Sequence, residues 1–117
     1  MTITVETISP PESGILDLNL HLKADIQITP QQARKQVSVY VGNHIADLLH
    51  GEMPDLVVRS DGTFWRVPVV LSSRSLGRIG VVGVMDVDVK SGELSLKKES
   101  ISNIEQNAQR FATGAAL

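Results

Sequence analysis

Cysteine is missing from this chain altogether. That excludes a disulfide framework and every thiolate metal site, and it suits a reducing compartment. Aromatic residues are scarce: Tyr40, Phe64, Trp65 and Phe111 make up the 3% that is present. Val, Leu and Ile must therefore fill the core. No apolar run approaches the roughly 20 residues of a membrane-crossing helix, so no membrane association is expected. An excess of one charge sign is lacking too. A formal net charge of -2 creates no field that would draw in nucleic acid, and no such partner is expected. The opening MTITVETISPPESG has neither a basic start nor an apolar stretch, which predicts no secretory signal and a cytoplasmic protein. At 117 residues and 42% hydrophobic content, the composition is that of one globular domain.

What is present is periodicity. In LDLNLHLKADIQI the even positions are Leu16, Leu18, Leu20, Leu22, Ala24, Ile26 and Ile28. The odd ones are Asp17, Asn19, His21, Lys23, Asp25 and Gln27. Side chains alternate across a strand, so this segment predicts one face in a core and one in water, with a bend near 23–25. The period then changes. Thr29 suits an N-cap, Pro30 the first helical position, and Gln32 can close a capping box. Ala33, Val37, Tyr40, Val41, Ile45, Leu48 and Leu49 recur at helical spacing, and Gly51 offers a terminator. Gly42 inside that helix costs about 1 kcal/mol against Ala, which suggests a close crossing over a sheet.

Alternation returns in DLVVRSDGTFWRVPVVLSS. Asp61-Gly62 predicts a two-residue hairpin turn between strands at 55–60 and 63–71. Pro68 cannot donate to a ladder and marks an edge, a bulge or an outward amide. RIGVVGVMDVDV is a further strand, KSGE a turn and LSL a short strand. Ile101, Ile104, Ala108 and Phe111 share one face of a closing helix. The expected fold is α+β: one long helix on an antiparallel sheet of four to five strands, with a short C-terminal helix. A single domain spans 1–117. It divides into an arm at 1–14, a helix-on-sheet core at 15–97, the C-terminal helix at 98–112 and a tail at 113–117.

ITPQQARKQVSVYVG, TFWRVPVVL and GVMDVDVKSGEL together resemble the PepSY-like family. Thr29, Ala33, Gly42, Trp65, Val67, Val87, Asp88, Ser91, Gly92 and Glu93 fall on its short motifs. The resemblance covers roughly two-thirds of the chain. It implies a small helix-on-sheet domain that binds or regulates other proteins and has no catalytic residues. Outside the match lie the early alternating strand and the C-terminal helix. The whole pattern also looks like small uncharacterised cyanobacterial proteins, which implies no activity.

Candidate chemistry is sparse. Asp86 and Asp88 share a strand face, but no third ligand stands at a useful spacing, so no metal is expected. Asp88 before VKSG is read as a turn residue whose carboxylate accepts from turn amides, with Gly92 in the conformation others resist. Asp86 has no such account. His44 and His50 lie six apart, where a zinc pair on one helix wants three or four. Ser72, Ser73 and Ser75 lack a nucleophile motif, and GRIGVVG runs into a strand rather than opening a helix. With no acid, base and nucleophile set, neither an enzyme nor a cofactor is expected.

Phe64 and Trp65 must face opposite sides of their strand. Trp65 goes with Val67, Val69 and Leu71 into the core. Phe64, Arg66, Pro68 and Val70 then form an outward patch suited to a partner or a homodimer, or else they are covered within the monomer. The expected function is a non-enzymatic protein-binding or self-associating module. The alternative is a small-molecule site in an apolar pocket between helix and sheet, with His44, Arg59 or Arg66 as polar anchors.

Overall fold

The computed structural model describes residues 2–114. Their order is β1 (Ile3–Val5), α1 (Pro30–His44), β2 (Leu49–Gly51), β3 (Asp55–Arg59), β4 (Gly62–Ser73), β5 (Gly77–Asp88) and α2 (Lys98–Gly114). The fold is α+β, with two helices and one five-stranded sheet. β4 is its spine. β5 runs antiparallel along one side of β4, while β3 and β2 lie end to end along the other. β1 pairs with β3 in parallel, so the sheet is mixed rather than wholly antiparallel. The expected arm at 1–14 therefore contributes a strand.

Both helices lie on the same face of the sheet. Ala33, Val37 and Val41 of α1 are fully buried with Trp65, Val67, Val69 and Leu71 of β4. Trp65 also donates its indole N–H to the Ile28 carbonyl at 2.6 Å. On α2, Ile104 sits over Gly83, where an added Cβ would come within 2.6 Å of Ile104 Cγ1. Gly83 pairs with the inward Val69, which places α2 beside α1 on the inner face. β5 carries two register shifts against β4. The first makes Val82 an extra residue and turns it into the core, while Val84 stays on the outer face.

Several expectations need correction. The predicted helix to Gly51 stops at His44, and Leu49, His50 and Gly51 form β2. Ile45, Leu48 and Leu49 fit a helical period, but pairing with β4 buries Leu49 better. The start is as expected: Gln32 N–H donates to Thr29 Oγ1, and Thr29 N–H donates back to Gln32 Oε1. α1 has 15 residues and α2 has 17, so the C-terminal helix is the longer one. It continues to Gly114, and residues 115–117 of the expected tail lie outside the described residues. Gly42 is no tight crossing, since a Cβ there would meet only the Leu49 carbonyl at 3.8 Å. Pro68 occupies the central strand. Its carbonyl accepts from Glu52 N–H, so its ring nitrogen faces the gap between β2 and β3, where no ladder bond is lost.

The largest correction concerns 15–28. The alternating segment forms no regular structure and belongs to no strand. It is tied down near its end, where Gln27 and Ile28 N–H both donate to the Val89 carbonyl at 2.8 Å and Asp25 lies 3.9 Å from Lys90 Nζ.

Candidate functional site

No helix covers the outer face of the sheet among the described residues; ion pairs cross it over β4, while Val81 and Val84 of β5 stay 46% and 42% exposed. Asp86, 6% exposed, lies directly opposite Arg66 on the neighbouring strand. Its carboxylate accepts from Arg66 Nε at 3.0 Å and Nη2 at 3.1 Å, and from Arg59 Nη1 at 2.9 Å. Arg66 also pairs with Glu6, beyond the end of β1. Its hydrogen bonds to Asp86, then those to Glu6, raise the Arg66 pKa above its ordinary value. Arg59 pairs with Asp61 as well. To reach Asp86 from β3, Arg59 crosses β4 above Phe64, its guanidinium carbon 4.0 Å from the ring centroid.

A second strap repeats the pattern. Glu52 flanks Pro68 on one side of β4, and Arg78 flanks Ser72 on the other. Their bidentate pair, at 2.8 and 3.0 Å, therefore spans the strand at the level of Val70. Arg78 holds the Glu52 carboxyl below its usual range.

These straps correct the outward-patch expectation. Phe64 is 8% exposed and Val70 fully buried, Pro68 is half-buried, and Arg66 is committed to two carboxylates. A charged roof has replaced the partner that four outward side chains would need. The pocket anchors separate as well. Arg59 is on the outer face, away from α1, while His44 stacks on Tyr40 at the end of α1, with centroids 4.6 Å apart. Between helix and sheet, Ala33, Val37 and Val41 are fully buried. An open groove of about 570 Å³ instead follows the other flank of α1, lined by Ile28, Val39, Tyr40, His44 and Leu94 among others.

The turn residues are where the sequence puts them, with one shift. Arg59 pairs with Gly62, so the hairpin loop is Ser60-Asp61, and Gly62 opens β4 with φ of 147°. Asp88 Oδ1 accepts from Lys90 N–H at 2.8 Å and Ser91 N–H at 2.9 Å, with Gly92 at φ of 77°. The backbone bond from Ser91, then that from Lys90, lowers the Asp88 pKa.

Residues 15–26 carry a run of exposed apolar side chains. Leu16, Leu18, Leu20, Leu22 and Ile26 are 53%, 49%, 48%, 51% and 46% exposed, and Ile15 is 91% exposed. Covering the exposed half of such a side chain is worth about 1 kcal/mol each. The sequence marked this stripe, but as a strand inside the sheet. Its signal was a pattern without a place: alternation shows that one face wants cover and not which molecule supplies it.

Among the described residues, no group of three His, Asp or Glu is placed to hold a metal ion, and no helix is long and apolar enough to cross a membrane. Compared with known proteins, the chain matches no family model, no curated protein and no solved structure. The PepSY-like likeness rests on its own short motifs.

Proposed function

We propose that the protein is a non-enzymatic binding module that works by protein–protein contact, with residues 15–26 as its contact strand. One observation carries this reading: Leu16, Leu18, Leu20, Leu22 and Ile26, all at even positions of one segment, stand about half exposed, and among the described residues no strand pairs with that segment. An extended segment with unpaired amides and one apolar face is the form used in strand addition, where backbone bonds give affinity and alternate side chains give specificity. The charged outer face is self-satisfied and offers less. A small-molecule role has the open groove beside α1 behind it.

Lys23 lies within the segment and makes it addressable. Amine cross-linking in extracts of the source cells, read by mass spectrometry, should join Lys23 to another protein chain, a second copy included. Leu18→Ser/Leu20→Ser/Leu22→Ser should abolish that product and leave the melting temperature unchanged. A triple variant that cross-links like the wild type contradicts the reading. So does one that unfolds, because the leucines would then belong to the chain's own core.

A further inference from the structure

Resting on that reading, we infer that the partner of residues 15–26 is the same segment of a second copy, paired antiparallel about Leu20. The argument begins with the two faces of the segment. Residues directly opposite in an antiparallel pair point to the same side, so only registers with an even index sum keep the leucines of both copies together. Among these, a sum of 40 sets Asp17 of each copy opposite Lys23 of the other, and Asn19 opposite His21. On the apolar side it sets Leu16 against Ala24, Leu18 against Leu22, and Leu20 against itself.

Other arrangements lose this match. Shifting the sum to 42 places Asp17 against Asp25, a like-charge pair. Parallel in-register pairing sets Asp17 on Asp17 and Lys23 on Lys23, which directly opposed like charges disfavour. Centring on Ala24 would bring Lys23 to Asp25, but it strands Leu16 and Leu18, because Gln27 and Ile28 are already held by Val89.

The resulting ribbon has one continuous apolar face. It cannot remain in water, since an isolated two-stranded ribbon is marginal. Its own anchor supplies the cover. Ile28, where the segment joins the body, lines the groove beside α1 with Val39, 55% exposed, and Tyr40. Each body thus offers an apolar rest beside the root of its own strand.

The absence of native cysteine makes single cysteines a clean ruler of register. Opposed residues sit about 4.5–5.5 Å apart at Cα, within disulfide reach. Oxidised Leu20→Cys is therefore expected to run as a covalent dimer. Leu18→Cys and Leu22→Cys should stay monomeric alone, because each is about 14 Å from its own copy, yet they should cross-link to each other when mixed. Asp17→Lys and Lys23→Asp should each weaken the dimer about tenfold, and the double exchange should restore it. Self-linking of Leu18→Cys would mean parallel pairing and overturn the inference. A wild-type monomer at several hundred micromolar in sedimentation would also overturn it. Lys23 cross-links to a different protein would then still support the contact strand, and their absence would remove that reading too.

Discussion

The guanidinium of Arg59 lies 4.0 Å above the ring of Phe64 and reaches past it to Asp86, two strands away. A sheet with both helices on one face must do something with the other. Here long arginine side chains lay their apolar stems and planar heads across the central strand and end on carboxylates of the far one. Phe64 and Val70, beneath the straps, are thereby removed from water without a second helical layer.

If Phe64 is core under a charged roof, Phe64→Ala should cost about 3 kcal/mol in urea unfolding, with sedimentation mass unchanged. Asp86→Ala should cost about 2–3 kcal/mol, because it leaves Arg59 and Arg66 without the buried partner they share. Arg66 keeps Glu6 and some solvent, which holds the loss toward the lower figure. A Phe64 variant of full stability and halved mass would return this face to the role of an interface.

The Asp88 turn has a pH signature. Its folded pKa lies below the ordinary 3.8, so its contribution is complete above that value and is lost as pH falls through the lower, folded one. Wild-type melting temperature should drop across this acid range, and Asp88→Ala should drop less. At neutral pH the same substitution should cost about 1 kcal/mol. Glu52 is depressed as well, so the difference between the two titration curves is the quantity to read.

Two glycines should respond in opposite directions. Gly42→Ala makes only an ordinary van der Waals contact with the Leu49 carbonyl and should stabilise α1 by about 0.5–1 kcal/mol. Gly83→Ala would drive a methyl into Ile104 and should destabilise the seat of α2 by about 1–3 kcal/mol. Thermal unfolding of the two single variants checks both.

Much of the fold was legible in the sequence, because local chemistry specifies it. Thr29, Pro30 and Gln32 mark the helix start, Trp65 and Val67 the inner face, and Asp88 and Gly92 the last turn. The helix end was not legible, since Ile45, Leu48 and Leu49 satisfy two periods and pairing with β4 decides between them. The role of Asp86 depends on register. It becomes visible only when β5 is laid against β4 and the aspartate falls opposite Arg66. Neither bulge in β5 was legible, and the first sets Val82 and Val84, two residues apart, on opposite faces. The alternation of 15–28 was legible, but it was misread as a strand of this sheet, because a pattern shows which face wants cover and not where the segment lies.

Hydrogen exchange across residues 16–26, followed as protein concentration rises, tests the contact strand most directly. In dilute solution these amides should exchange at nearly unprotected rates, while those of β4 stay protected. At high concentration they should slow in step with the dimer fraction from sedimentation, and Leu18→Ser/Leu20→Ser/Leu22→Ser should show no slowing. Amides that are protected at every concentration would contradict the account, because the segment would then be paired within its own chain.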